Sequence, residues 1–421
     1  VHERQNDVLN EGVAVLGRTA AFAASEAANL RQADVPGHLS FASLEAAACR
    51  AVDALLALLQ SRVSDSRVAE SVCDAIGEIL DTCSPASPVR ERALEGLFAK
   101  DGQSADLLSR VAVSHASNLN LQSKVIWVSG VVHGAVSVIQ EMERHCATHA
   151  LQLPAMKTLS VLYTSHPQIE RRDAMARPCA VRAVVSAMEA FPANLELQQS
   201  ACNALAAIVE THLCRGGEAD VGVLSEDLLA TCLRAAHAAL SLVLGCSDSG
   251  HSASHRTLLV KKDAVRLMGS VCNVAPSLST WLRESGQEQV LTNALVATAD
   301  RVADGSRDEE VEDVLRIELI ALSHVSGACA AIIEPLRRWG PSKPAVVRAA
   351  ADAVVELARH ESAAPPGSPL RASVQELCAA GCGGEFVAAM RTYPRDEELH
   401  TRMQLALGFL GTGSSPLAVP S

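Results

Sequence analysis

The stretch "EMERHCATHA" (141–150) gathers the side chains most able to do chemistry. Read as helix, it sets Glu141, His145 and His149 at i, i+4 and i+8 on one face with Cys146 beside them, and two imidazoles at that spacing can converge on zinc. It lacks the Glu of H-E-x-x-H, and the sequence places no second ligand pair, so neither a metal nor a cofactor is expected. "CAAGCGG" (378–384) offers Cys378 and Cys382. A redox pair has two intervening residues in a thioredoxin-like β-α-β setting, so packing and turn formation explain these two better. "GCGGEF" (381–386) lacks the strand-turn-helix setting of a dinucleotide loop, and "SDSGHSASH" (247–255) brings Ser, Asp and His together only as a polar loop does. No catalytic residue is expected, and the chain reads as a non-enzyme.

The elements that would position such residues are helices. Of the 421 residues 48% are hydrophobic but only 3% aromatic, the excess being Ala, Leu and Val, a mix suited to close packing of short helices. A net charge of −12 argues against nucleic-acid and anionic-membrane surfaces, because Arg171-Arg172, Lys261-Lys262 and Arg337-Arg338 are scattered and no aromatic residues interleave with them. The 13 cysteines are odd in number and lack paired spacing. Cys73, Cys202 and Cys272 read as small buried hydrophobes of a reducing, intracellular compartment, cytoplasmic in the first instance, with a cytoskeletal, ciliary or organellar assembly also compatible. No stretch approaches 18 consecutive apolar residues, so no membrane span is expected. The chain opens on Val1, the expectation for a trimmed or partial molecule whose targeting segment lies elsewhere.

The organisation is repetitive. Residues 52–81 align without a gap on residues 181–210, an offset of 129, or three times 43. Each copy has an apolar helix, a short break, an Asp or Asn, and a second helix. Asp65, Asn194, Asp308 and Asp396 fall at the same place, where a short oxygen-bearing side chain caps the first turn, worth roughly 1 kcal/mol. "AMEAFPANLEL" (187–197) and "AMRTYPRDEEL" (389–399) are two such joints, with Pro192 and Pro394 blocking the preceding helix. The following helices carry "AIGEI" (75–79), "ALAAI" (204–208), "ALSHV" (321–325), "AVVEL" (353–357) and "ALGFL" (406–410), small residues for close approach and large aliphatics for the core.

With these motifs the chain resembles the armadillo-repeat family. Residues 166–209 are similar to one complete repeat, with a turn at Pro178-Cys179 between first and second helices, and Gly286 and Gly381 stand where Cys179 does. The resemblance implies an all-α fold, a right-handed superhelical solenoid of about 8 to 9 three-helix repeats. Its expected limits are 41–411, after a helical cap at 1–40 and before a tail at 412–421, with loop insertions near 214–223, 246–256 and 360–369.

In armadillo proteins similar to the nuclear-import adaptor, Trp and Asn ladders on the third helices line a concave face. Carried over, the Asn place falls on Glu78, Val131, Ala207, Asn273, His324, Glu356 and Phe409, and the Trp place on Asp74, Trp127, Asn203, Gly269, Ile320, Asp352 and Leu405. Only Trp127 and Asn273 match, so the ladder is broken. The partner-facing positions implied are Asp74, Glu78, Trp127, Asn203, Asn273, His324, Asp352, Glu356 and Phe409. Asp74 with Glu78 and Asp352 with Glu356 form acidic i, i+4 pairs that a basic partner could offset. Ile320, Leu405 and Phe409 would form an apolar patch.

The expectation is therefore a scaffold that binds other proteins, as one subunit of a hetero-oligomeric assembly. A transient adaptor or co-chaperone gripping a basic peptide is the alternative, and a metal-dependent enzyme using His145 and His149 a second one.

Overall fold

The computed structural model describes residues 2–32, 39–83, 87–97, 107–165, 174–213, 224–246, 255–301, 309–326, 329–363 and 373–411. Among them there is no strand. Two compact units divide at the joint before Phe191.

The first unit holds α1 (His2–Gln32), α2 (Leu39–Ser61), α3 (Ser66–Thr82), α4 (Pro88–Leu97), α5 (Leu107–Ser114), α6 (Leu119–His133), α7 (Ala135–Arg144), α8 (His149–Ser165) and α9 (Arg177–Ala190). A row of long helices, α1, α3, α6 and α8, packs each against the next, while α2 rests on α4 and α7 on α9. The row buries Ile76, Leu80, Leu121, Ile126 and Leu159 almost completely, and Leu55 and Leu59 of α2 are equally buried. At roughly 1.5 to 3 kcal/mol per large side chain, such burial is the main favourable term.

The second unit holds α10 (Leu195–Leu213), α11 (Glu226–Cys246), α12 (His255–Val274), α13 (Pro276–Glu284), α14 (Glu288–Arg301), α15 (Glu309–Ser326), a π-helical turn at Cys329–Ile333, α16 (Glu334–Trp339), α17 (Pro344–Ala363), α18 (Ser373–Ala379), α19 (Cys382–Thr392) and α20 (Glu397–Gly411). Its row is α10, α12, α15, α17 and α20, again packed in sequence order. This periodic packing is that of a helical-repeat fold. Gly269 on α12 shows why small residues recur in the row: a Cβ there would lie 3.0 Å from the Ala321 backbone of α15.

The joints follow the caps read from the sequence. Asp65 Oδ1 accepts from the Arg67 and Val68 amides at 3.2 and 3.3 Å, Asn194 Oδ1 from Leu197 at 3.2 Å, and Asp396 Oδ1 from Leu399 at 3.0 Å. Asp308 lies outside the described residues. Gly286 and Gly381 take φ of +70° and +84° between α13 and α14 and between α18 and α19. A side chain with a Cβ is strained there. Pro178 and Cys179, in contrast, stand inside the first turn of α9. Proline is tolerated in a first turn, whose amides have no intrahelical acceptor, so the turn expected at these two residues is absent.

A second element of the joint went unread. Gln122 Nε2 donates to the carbonyls of Ala112 and His115 at 2.7 and 3.0 Å. Gln152 Nε2 reaches those of Met142 and His145 at 2.7 and 2.9 Å. Gln198 Nε2 reaches that of Phe191 at 3.2 Å, and His400 Nε2 lies 3.2 and 2.9 Å from those of Met390 and Tyr393. In each case the side chain four residues after Asn118, Thr148, Asn194 or Asp396 ties its helix back to the carbonyls ending the previous one.

The loop expectations fall largely outside the described residues. All of 214–223 lies there, as do 247–254 and 364–372, while Cys246, His255 and Arg256 and residues 360–363 belong to helices. One helical stretch, Glu226–Gly245, has the length and mean hydropathy (1.6) of a membrane span. It packs on α12 and α14, and its exposed positions Asp227, Arg234, Ala238 and Ser241 recur at helical spacing, the pattern of an amphipathic repeat helix.

Candidate interaction surface

The metal reading of "EMERHCATHA" presumed one helix, and the chain breaks there instead. α7 ends at Arg144, residues 145–147 turn, and α8 begins at His149. Glu141, His145 and His149 therefore share no helix face. Glu141 pairs with Arg144, its other oxygen lying 3.5 Å from His145 Nε2. Among the described residues no group of three His, Cys, Asp or Glu side chains could hold a metal ion.

Cys49, Cys73, Cys83, Cys146, Cys179, Cys202, Cys232, Cys272, Cys378 and Cys382 are free thiols. Burial pushes the thiols of Cys73, Cys232 and Cys272 up to about 12 and that of Cys202 higher still, so at neutral pH they stay protonated and behave as hydrophobes. Cys382 is fully buried, and the Cys378 thiol donates to the Leu410 carbonyl at 3.1 Å. In "SDSGHSASH" only His255 is described, and its Nε2 lies 2.9 Å from Glu310.

In each unit the long helices carry the positions drawn from the ladder comparison, most of them exposed or half-buried. In the first unit Asp74 is ion-paired with Lys124 of α6, which also lies 3.5 Å from Glu70. Glu78 is exposed. Trp127 is half-buried, its indole against Gly77 of α3, where a Cβ would sit 3.0 Å from the ring. Val131 is buried.

In the second unit the row carries a lattice of ion pairs between neighbouring long helices. Arg266 of α12 pairs with Glu210 of α10 and donates to Asn203 at 3.3 Å, while Ser270 donates to Glu210 at 2.9 Å. Asp313 of α15 takes Lys262 from α12 and Arg316 from its own helix, and Arg316 reaches across to Glu356 of α17. Arg348 of α17, almost fully buried, lies 2.5 Å from Glu312 of α15 and 3.1 Å from Asp396, the cap of α20. Arg402 of α20 closes the series at 2.6 Å from Asp352 and 2.8 Å from Glu398.

The acidic pair Asp352 and Glu356 is thus matched by Arg402 and Arg316. Asn273 and His324 are half-buried, as are Ile320 and Phe409, and Leu405 is 51% exposed. Ala207 and Gly269 are buried. The cationic partners of the acids are what sequence reading missed, since they lie some 40 to 50 positions away in neighbouring repeats.

No protein-family model matches the chain, and no curated protein matches it either.

Proposed function

We propose that the chain is a non-catalytic scaffold of armadillo-type three-helix repeats that holds protein partners as a structural subunit of a larger assembly. The observation that carries this reading is the row from α10 to α20, in which each neighbouring pair of long helices is tied by ion pairs across the repeat boundary. Charges compensated within the fold hold its shape, and a scaffold needs fixed area rather than activated groups. The glycine turns at Gly286 and Gly381, each followed by a short helix and then a long one, support the armadillo-type assignment.

The pairing of Asp74, Asp352 and Glu356 weighs against a groove for basic peptides, because a peptide would have to displace cations already in place. Gel filtration of unfractionated native extract tests the scaffold reading. The chain is expected to elute with species well above its own 44.2 kDa. Elution as a free monomer would contradict it.

A further inference from the structure

α1 opens the first row, and its inner side is well packed. Asn10 Oδ1 accepts from Ser71 of α3 at 3.3 Å, Gly17 lies against Ala75 of the same helix, and Val13, Ala20, Ala21 and Ala24 are buried. The opposite side is open. Glu11, Val15, Arg18 and Phe22 are all exposed and stand at i, i+4, i+7 and i+11, the spacing of a seam along which two helices pack. Val15 is 50% and Phe22 66% exposed, and Leu16 flanks them at 41%. The outer face of an end helix in a repeat array is ordinarily polar, so an apolar seam here is a face suited to being covered.

Charge decides what covers it. Along the rows charges are matched between neighbouring helices, as Lys124 matches Asp74 and Arg266 matches Glu210. Among the described residues Glu11 and Arg18 have no ion-pair partner. They are also too far apart to join each other, about 10.5 Å along the helix axis. Val15 stands between them, about 6 Å beyond Glu11 and about 4.5 Å before Arg18. A second α1 laid antiparallel about a two-fold axis at Val15 therefore sets each Glu11 opposite the partner's Arg18, with the two valines meeting at the axis and Phe22 covering each flank. A parallel pair would instead set acid on acid and base on base, which is repulsive. The face is self-complementary in one orientation.

We propose that the exposed face of α1 is a self-association surface, on which a second copy of this chain docks antiparallel through Val15, Phe22 and two reciprocal Glu11–Arg18 pairs. A contact along one helix face buries less than the roughly 800 Å² per partner of a standard interface, so the dimer is weak, with a dissociation constant on the order of 10 µM. This surface goes beyond the scaffold reading and does not depend on it.

The test is sedimentation equilibrium of the purified full chain. The average mass is expected to rise from 44.2 kDa towards twice that value between about 1 and 200 µM. Glu11→Arg and Arg18→Glu, each at an exposed position, are each expected to weaken the dimer by about tenfold with the helical circular dichroism unchanged. An equimolar mixture of these two variants is expected to recover the parent's affinity, because one copy then carries both cations and the other both acids. Phe22→Asp is expected to abolish the dimer while leaving Glu11 and Arg18 in place. A parent that stays monomeric, a mixture no tighter than its components, or a dimer that survives Phe22→Asp would overturn the proposal. A monomeric chain that still elutes in a large assembly from native extract would refute it and leave the scaffold standing. A chain that dimerises when pure but elutes as a free monomer from extract would do the reverse.

Discussion

At the residue scale the informative side chains are those that complete another helix's hydrogen bonds. Gln122 is nearly fully buried and serves two carbonyls of the preceding helix end. Replacing it by Leu leaves both acceptors short of a donor, and about 1 to 3 kcal/mol of stability should be lost, read as a lower urea midpoint. Gln122→His should recover part of the loss, because His400 stands at the equivalent place in the last joint. Asp263 gives a pH-dependent counterpart. Burial raises its carboxyl to about 6 against the opposing influence of Gln199, Arg266 and Lys262. A folded-state value above the unfolded one means the native chain binds the proton more tightly, so this contribution is present in full below about pH 4 and is lost as pH rises through 6. Asp263→Asn should therefore be more stable than the parent at pH 7.5 and lose that advantage by pH 4, measured by denaturant titration at both. The caps Asp65, Asn194 and Asp396 were legible because a short polar residue before an apolar helix has a local mechanism. Gln122 and Gln152 were not, because nothing local distinguishes a buried glutamine from a solvated one.

At the element scale the fold depends on short joints that turn the chain sharply. Gly381 stands at φ +84° with open space where a Cβ would project, so only the backbone conformation opposes substitution. Gly381→Asn should cost little, since Asn enters the left-handed region readily, whereas Gly381→Val should cost about 1 to 3 kcal/mol, visible as a lower melting midpoint. These glycines were readable through the resemblance to armadillo repeats, and the long helices from their spacing. The break inside "EMERHCATHA" was not, because its apolar and polar periodicity runs on through residues 145–148 and Thr148, unlike Asn or Asp, gives a weaker stop signal. That one misread joint is what made three potential ligands look collinear. In the row of long helices i, i+4 spacing identified Asp352 with Glu356, but their counter-charges come from other elements and are invisible to any local pattern.

At the scale of the whole molecule each unit is a series of nearest-neighbour contacts, so damage should spread only to adjacent repeats. Arg348 links three members of the second row through Glu312 and Asp396. Arg348→Ala takes from both partly buried carboxylates their nearest cation, leaving Glu312 only Arg402 at 4.0 Å, and should cost about 3 to 5 kcal/mol. Hydrogen exchange should quicken in residues 373–411 and stay unchanged in α3 and α6. Uniform acceleration along the chain would show a more cooperative fold than nearest-neighbour packing allows. The repeat itself was legible in the sequence through its 129-residue offset, whereas the ion pairs between neighbouring long helices join residues some 40 to 50 positions apart, a packing that no single stretch encodes. The central claim, that this chain is a fixed structural subunit, is tested most directly by purifying it at native abundance and washing the assembly at about 0.1 and 0.5 M salt, concentrations that span the screening of exposed charge pairs. The predicted result is the same set of proteins at the same stoichiometry in both washes; partners that leave in the second wash, or a chain recovered alone in both, would contradict it.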